Sequence, residues 1–175
     1  MRKVLFIFGQ LTDADVTRLA SIGRRERSPK GTVLIKEGVP VETLYILLDG
    51  ELVVTQGNRT LARLSAGEVV GEMSFIDARP PSATVSASTD AVLYSVTKRT
   101  LQRELEENVA LAARFYKAIA TFLSDRIRKA TATASGLDAN AADELDDSVL
   151  DSVDRAGVRF DDFGKQLLDT RHSRV

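Results

Sequence analysis

Between residues 31 and 96, short apolar runs alternate with glycine-bearing turns about every ten residues, and no other feature narrows the fold as much. Thr32-Val33-Leu34-Ile35 stops at Glu37-Gly38, and Leu44-Tyr45-Ile46-Leu47-Leu48 stops at Asp49-Gly50. Glu51-Leu52-Val53-Val54-Thr55 runs to Gly57-Asn58, and Leu61-Ala62-Arg63-Leu64 to Ala66-Gly67. Turns need backbone conformations that glycine reaches without steric cost, so each glycine marks a reversal. Ala83–Ala87 and Ala91–Val96 supply closing strands. The pattern predicts an antiparallel sandwich or jelly roll.

Helices flank the strands. Thr12-Asp13-Ala14-Asp15 opens a short amphipathic helix with Thr12 or Asp13 as its N-cap, Val16, Leu19 and Ile22 on one face, and Gly23 as its stop. Arg24-Arg25-Glu26-Arg27 reads as a solvated lead into an extended region. A long helix is expected from Lys98 or Thr100 to about Lys129, with Leu105, Ala112, Phe115, Ile119, Phe122 and Leu123 as its apolar stripe. From Ala112 to Leu123 this stripe approximates a heptad seam.

Thr131-Ala132-Thr133-Ala134-Ser135-Gly136 reads as a linker, dividing the chain into a domain over 1–130 and an acidic, partly helical tail over 131–175. Residues 137–175 hold ten acidic against five basic residues, a net of −5, which leaves +4 for the rest of a chain whose total is −1. Leu145, Val149, Leu150 and Val153 suggest one short tail helix; Phe160, Phe163, Leu167 and Leu168 suggest a second. The tail is either a solvated extension or a dock for a protein partner.

Composition narrows the chemistry. The chain contains no cysteine, which removes disulfides and thiol chemistry, and its single histidine, His172, lies near the C-terminus. No acid–base pair or metal-ligand spacing stands out, so neither catalysis nor a metal site is expected. The apolar run Val4–Phe8 is five residues, below the roughly 7–15 of a secretory core. No stretch approaches the ~20 apolar residues of a membrane span, and a cytoplasmic location with no membrane association is expected.

The segment from Gly71 to Val85 carries the functional signal. Gly71-Glu72-Met73-Ser74-Phe75 combines a glycine, which lets backbone approach a ligand, with a carboxylate able to accept from a ribose hydroxyl at the start of a helical turn. Such a turn leaves N–H groups unpaired and attracts phosphate. Ser82, Ala83 and Thr84 close the segment with further N–H and hydroxyl donors.

Gly71-Glu72-Met73-Ser74-Phe75 and Ser82-Ala83-Thr84 together resemble the phosphate-binding cassette of the cyclic nucleotide-binding domain family, which includes the catabolite activator protein and the regulatory subunits of protein kinase A. The glycine pattern from Gly31 to Gly50 is similar to the first half of the same fold, so the resemblance covers about residues 10–130. It implies an antiparallel jelly roll (a double-stranded β-helix barrel) flanked by an N-terminal helix and a long C-terminal helix. The implied ligand is cyclic AMP or cyclic GMP, with no obligatory cofactor. The implied site is Gly71, Glu72, Met73, Ser74, Ser82, Ala83 and Thr84, with Glu72 accepting from the ribose 2′-hydroxyl. The family often dimerises through the long helix, so a homodimer through residues 100–129 is expected.

Two departures qualify the resemblance. The family's phosphate-clamping arginine falls on Pro81, which offers neither charge nor N–H; Arg79, two residues earlier, is the nearest replacement. Transcription factors of this family carry a basic helix-turn-helix after the long helix, whereas residues 131–175 are acidic, so DNA binding is not expected. The chain therefore reads as a stand-alone nucleotide sensor. The alternative is a fold that has lost mononucleotide binding and serves as a dimeric scaffold or adaptor, or takes another anion such as a cyclic dinucleotide.

Overall fold

The computed structural model describes residues 8–134 and 147–169. Helix α1 (Asp13–Ile22) opens on Thr12, whose hydroxyl accepts from the Asp15 N–H while the Asp15 carboxylate accepts from the Thr12 N–H, a reciprocal cap. Eight strands follow: β1 (Arg24–Ser28), β2 (Val33–Ile35), β3 (Thr43–Asp49), β4 (Leu52–Gln56), β5 (Arg59–Leu64), β6 (Val69–Val70), β7 (Thr84–Ala87) and β8 (Ala91–Thr97). A single-turn-and-a-half helix, α2 (Glu72–Asp77), sits between β6 and β7. Helices α3 (Lys98–Glu107), α4 (Val109–Ala134) and α5 (Asp147–Asp169) complete the described chain.

The strands form two four-stranded antiparallel sheets, β1-β8-β3-β6 and β2-β7-β4-β5, as the glycine punctuation predicts for a jelly roll. Gly31, Gly38, Gly50, Gly57 and Gly67 all take positive φ at the reversals. Side-chain alternation gives the first sheet two buried faces. On β3 and β8, Leu47 and Leu93 point into the roll, where they join Ile35, Leu52, Leu64 and Val85. Leu44, Ile46, Tyr94 and Val96 point the other way, into a second core with Val16, Leu101, Leu111, Phe115 and Phe122 of the helices. Gly23 is where α1 turns into β1: a Cβ there would lie 2.1 Å from the Tyr94 ring. The Tyr94 hydroxyl donates to the Leu19 carbonyl at 2.6 Å, and burial pushes its pKa up.

Three elements differ from the sequence-based expectation. Arg24–Ser28 is a paired edge strand, β1, in register with Ser95–Ala91 of β8, rather than a solvated lead. Glu26 is tied inward, accepting from the Ser95 hydroxyl at 3.0 Å. The expected long helix is broken at Asn108, whose φ of −129° and ψ of 87° end α3. The Asn108 side chain then caps α4 by accepting from the Leu111 N–H at 3.0 Å. The expected apolar stripe packs within its own domain: Leu105, Phe115, Ile119 and Phe122 are buried there, with Ala112 and Leu123 against them.

The two expected tail helices are one helix, α5, over its described length; Leu145 lies outside the described residues. Its second half docks on the domain. Ala156, Phe160, Phe163 and Leu167 recur at spacings of four, three and four, a single helical face. Phe163 meets Tyr94 with ring centroids 4.8 Å apart, and Phe8 stands 5.5 Å from Phe160 and 5.2 Å from Phe163. The helices are also joined through α1 by ion pairs. Arg18 Nε meets Glu104 Oε1 of α3 at 2.5 Å, and Arg159 Nε of α5 meets Asp13 Oδ1 at 2.6 Å. Arg114 of α4 donates twice to Asp15, at 2.6 and 2.8 Å. Burial alone would raise the pKa of Asp15, but the hydrogen bonds from Arg114 and Thr12 outweigh it and hold the carboxyl below its usual range.

Candidate functional site

The loop from β6 to β7 turns on Gly71, whose φ of 89° places it in the left-handed region as the N-cap of α2. A Cβ there would also lie 2.7 Å from the Thr43 carbonyl oxygen, so backbone conformation and space both call for glycine. α2 ends at Ala78, also left-handed with φ 56°. Phe75 anchors α2 to α4, edge-on to Phe115 at 6.0 Å and stacked near Tyr116 at 6.4 Å.

Glu72 is buried, 3% exposed, at the first position of α2. Its Oε1 accepts from Arg126 Nη1 of α4 at 2.5 Å, and the Arg126 guanidinium also lies 5.1 Å from the Phe122 ring centre. Desolvation raises the Glu72 pKa above its ordinary value; the Arg126 charge and the N–H groups at the start of α2 oppose this without cancelling it. Ser74, two residues further along α2, is also buried. The ion pair joins the cassette to the long helix across 54 residues of sequence.

Beside this pair lies a cavity of about 920 Å3, a size that accommodates a small organic ligand. Its walls come from β5 (Arg59, Leu61, Arg63), from the cassette (Met73, Ile76, Asp77, Ser82, Ala83) and from α4 (Phe122, Arg126, Ile127). Of the residues expected from sequence, Met73, Ser82 and Ala83 line it. Gly71, Glu72 and Ser74 do not line it, although Glu72 is tied to the lining residue Arg126. Thr84 has a structural contact, its hydroxyl accepting from the Glu37 N–H at 3.1 Å.

Arg79 does not line the cavity. Its guanidinium grips Asp77 at 2.6 Å and its side chain is 81% exposed. The backbone N–H and guanidinium of Arg79 hold the Asp77 carboxyl below its usual range. Pro81 serves the backbone instead: its carbonyl accepts from the Gly38 N–H at 2.9 Å. Sequence reasoning missed Arg126, Arg59 and Arg63 as residues of this site. None has a local signal, because each comes from an element whose own pattern is ordinary helix or strand.

A two-sheet jelly roll with a glycine-led helical turn over an open cavity defines a small-ligand-binding domain of the cyclic nucleotide-binding type. Residues 25–108 match the model of that family, described as "Cyclic nucleotide-binding domain", and belong to it. The chain is 30% identical over 127 residues to the cGMP-dependent protein kinase egl-4 of Caenorhabditis briggsae, an alignment covering 69% of this chain and 17% of the kinase. Among solved structures, a cyclic nucleotide-binding domain from Methylobacillus flagellatus superposes with a TM-score of 0.66 at 27% identity, covering 73% of this chain and 78% of that one. The catabolite activator protein of Thermus thermophilus gives a TM-score of 0.61 at 26% identity, covering 74% and 62%. The expected family and jelly-roll fold are thus found. Among the described residues, α4 is followed by α5 rather than by a helix-turn-helix, and no helix is long and apolar enough to cross a membrane.

Proposed function

We propose that this chain is a regulatory protein that binds a cyclic mononucleotide, cyclic AMP or cyclic GMP, in the cavity beneath α4 and relays the event through that helix. The Glu72–Arg126 ion pair carries the reading. In the related domains the cassette glutamate is expected to receive a ribose hydroxyl; here Arg126 already holds it. A ribose that reaches Glu72 must share or displace that guanidinium, and Arg126 is fixed to α4. Ligand affinity and helix position are then coupled, provided the ligand prefers one arrangement of α4 over the other.

The far reach of that movement follows from the ion pairs. α4 grips α1 through Arg114 and Asp15, and α1 holds α5 through Asp13 and Arg159. The acidic tail is then an output element, read by a protein partner when its docking changes. Homodimer formation through α4 would draw on its exposed apolar residues, among them Tyr116 and Ile127. No cofactor is needed for any of this, and no catalytic step is assigned.

A second reading is favoured by Pro81 and the outward turn of Arg79. With no cassette arginine at the cavity, the fold acts as a scaffold or adaptor, or takes a different anion such as cyclic di-GMP. Isothermal titration calorimetry against cyclic AMP, cyclic GMP and cyclic di-GMP separates these readings. Micromolar binding of a mononucleotide, with altered hydrogen exchange across residues 109–134, supports the sensor. Silence with both mononucleotides sinks it.

A further inference from the structure

The cavity has arginines that the cassette does not supply, and one of them is placed to act on a phosphate. Arg126 is committed to Glu72, Arg79 does not line the cavity and is paired with Asp77, and Arg63 approaches Glu51 at 3.9 Å. Among the described residues Arg59 makes no ion pair, although it lines the cavity with Ser82 and Ala83.

Its position is set by the β4–β5 hairpin. Arg59 is the cross-strand partner of Gln56, on the far side of the Gly57-Asn58 turn. Such partners stand about 5 Å apart. The Gln56 side-chain amide donates to the Ser82 carbonyl at 3.1 Å, which pins the hairpin against the end of the cassette. A second tie reinforces it: the Gly57 N–H donates to Glu37 Oε2 at 3.3 Å, while the Glu37 N–H donates to the Thr84 hydroxyl and the Gly38 N–H to the Pro81 carbonyl. The base of the Arg59 side chain is thereby held next to the segment Pro81–Thr84. Arginine is suited to the task, since its planar fork can donate two hydrogen bonds to phosphate oxygens while carrying a fixed charge.

We infer that Arg59 takes over the phosphate-clamping role that Pro81 cannot perform, its guanidinium reaching from the β4–β5 hairpin to the cyclic phosphate held at Ser82 and Ala83. The inference rests on the nucleotide-binding reading above and names the residue that makes it workable. Phosphate recognition then belongs to a hairpin tied to the cassette rather than to the cassette itself.

The test is calorimetry of the full chain with cyclic AMP and cyclic GMP as charged probes and adenosine and guanosine as uncharged ones. Arg59→Ala is expected to weaken the cyclic nucleotide about 10- to 100-fold and to leave nucleoside affinity unchanged. Arg59→Lys should recover part of the loss, retaining charge without the fork. The double variant Arg59→Ala with Pro81→Arg should recover most of it, because the cassette then supplies its own clamp. A side chain that merely props the hairpin would show no such rescue and would weaken nucleoside and nucleotide alike, which overturns the inference. Unchanged cyclic nucleotide affinity in Arg59→Ala overturns it while leaving the nucleotide reading intact. If the unmodified chain binds no cyclic nucleotide, both fall together.

Discussion

At the Glu72 end of the cavity charge is buried and paired, whereas at the Ser82 end it is exposed, and Arg59 there makes no ion pair among the described residues. Glu72 is 3% exposed and held by an arginine from another element; Ser82 is exposed, beside a proline, with its nearest sequence arginine turned onto Asp77. The first end is costly to build and stabilises the fold only while both partners are present. The second is held through hydrogen bonds to its backbone and to Thr84, and leaves the side chains of Arg59 and Ser82 exposed for a ligand. A binding site can thus divide its labour, with one pole fixing the architecture and the other setting affinity.

The sharpest break comes from Arg126→Ala, which strands the Glu72 carboxylate. Loss of one partner of a buried pair costs about 3–5 kcal/mol, read as a lowered urea midpoint at pH 7.5. The pH dependence fixes the cause. The native pKa of Glu72 is raised above its ordinary 4.5, so the native state takes up that proton before the unfolded chain does. Stability from this group therefore rises as pH falls from the raised native value toward 4.5. Removing Arg126 raises that pKa further, and the deficit of the variant should shrink at pH 5. A deficit independent of pH would mean that lost packing on Phe122, and not the stranded charge, is responsible.

Gly71→Ala comes next. Left-handed backbone and the Thr43 carbonyl together should cost about 1–3 kcal/mol by the same denaturation, with mononucleotide binding weakened as α2 shifts. Wild-type stability in this variant would show that the turn can relax. At the other end, Pro81→Arg should strengthen cyclic nucleotide binding about 10- to 100-fold in calorimetry while moving the urea midpoint little. Equal affinity would mean that the phosphate is already fully held by another group. Arg79→Ala is the smallest: stability within about 0.5 kcal/mol and affinity within about twofold, because its side chain already lies in solvent. A tenfold loss of affinity there would restore it as the replacement clamp.

Much of the roll was legible from turn chemistry, because Gly31, Gly38, Gly50, Gly57 and Gly67 mark reversals whose positive φ local sequence dictates. Thr12 and Gly71 were legible for the same local reason. β1 was not, since Arg24-Arg25-Glu26-Arg27 has no apolar alternation and becomes a strand only by pairing with β8. The break at Asn108 was masked by a stripe that continues across it, although Asn108 itself is a good cap. At the site, the residue types of the cassette could be read, while the arginines around it could not. Arg59 and Arg126 reach the cavity only through a hairpin register and a long-range helix dock, and neither leaves a trace in neighbouring residues. The Phe160-Phe163-Leu167 spacing revealed a helix, but not that its dock is Phe8 and Tyr94.

The sheet β1-β8-β3-β6, apolar on both faces, has a practical consequence for finding the ligand. With Leu47 and Leu93 in one core and Tyr94 and Val96 in the other, the roll and the helical layer share their central strands and should melt together. Anything that fills the cavity then raises the melting temperature of the whole domain. A ligand present at a hundred times its dissociation constant adds about 2.7 kcal/mol, a rise of about 5–10 °C for a domain of this size. A thermal screen across nucleotides would detect the right compound without any prior assumption about its base.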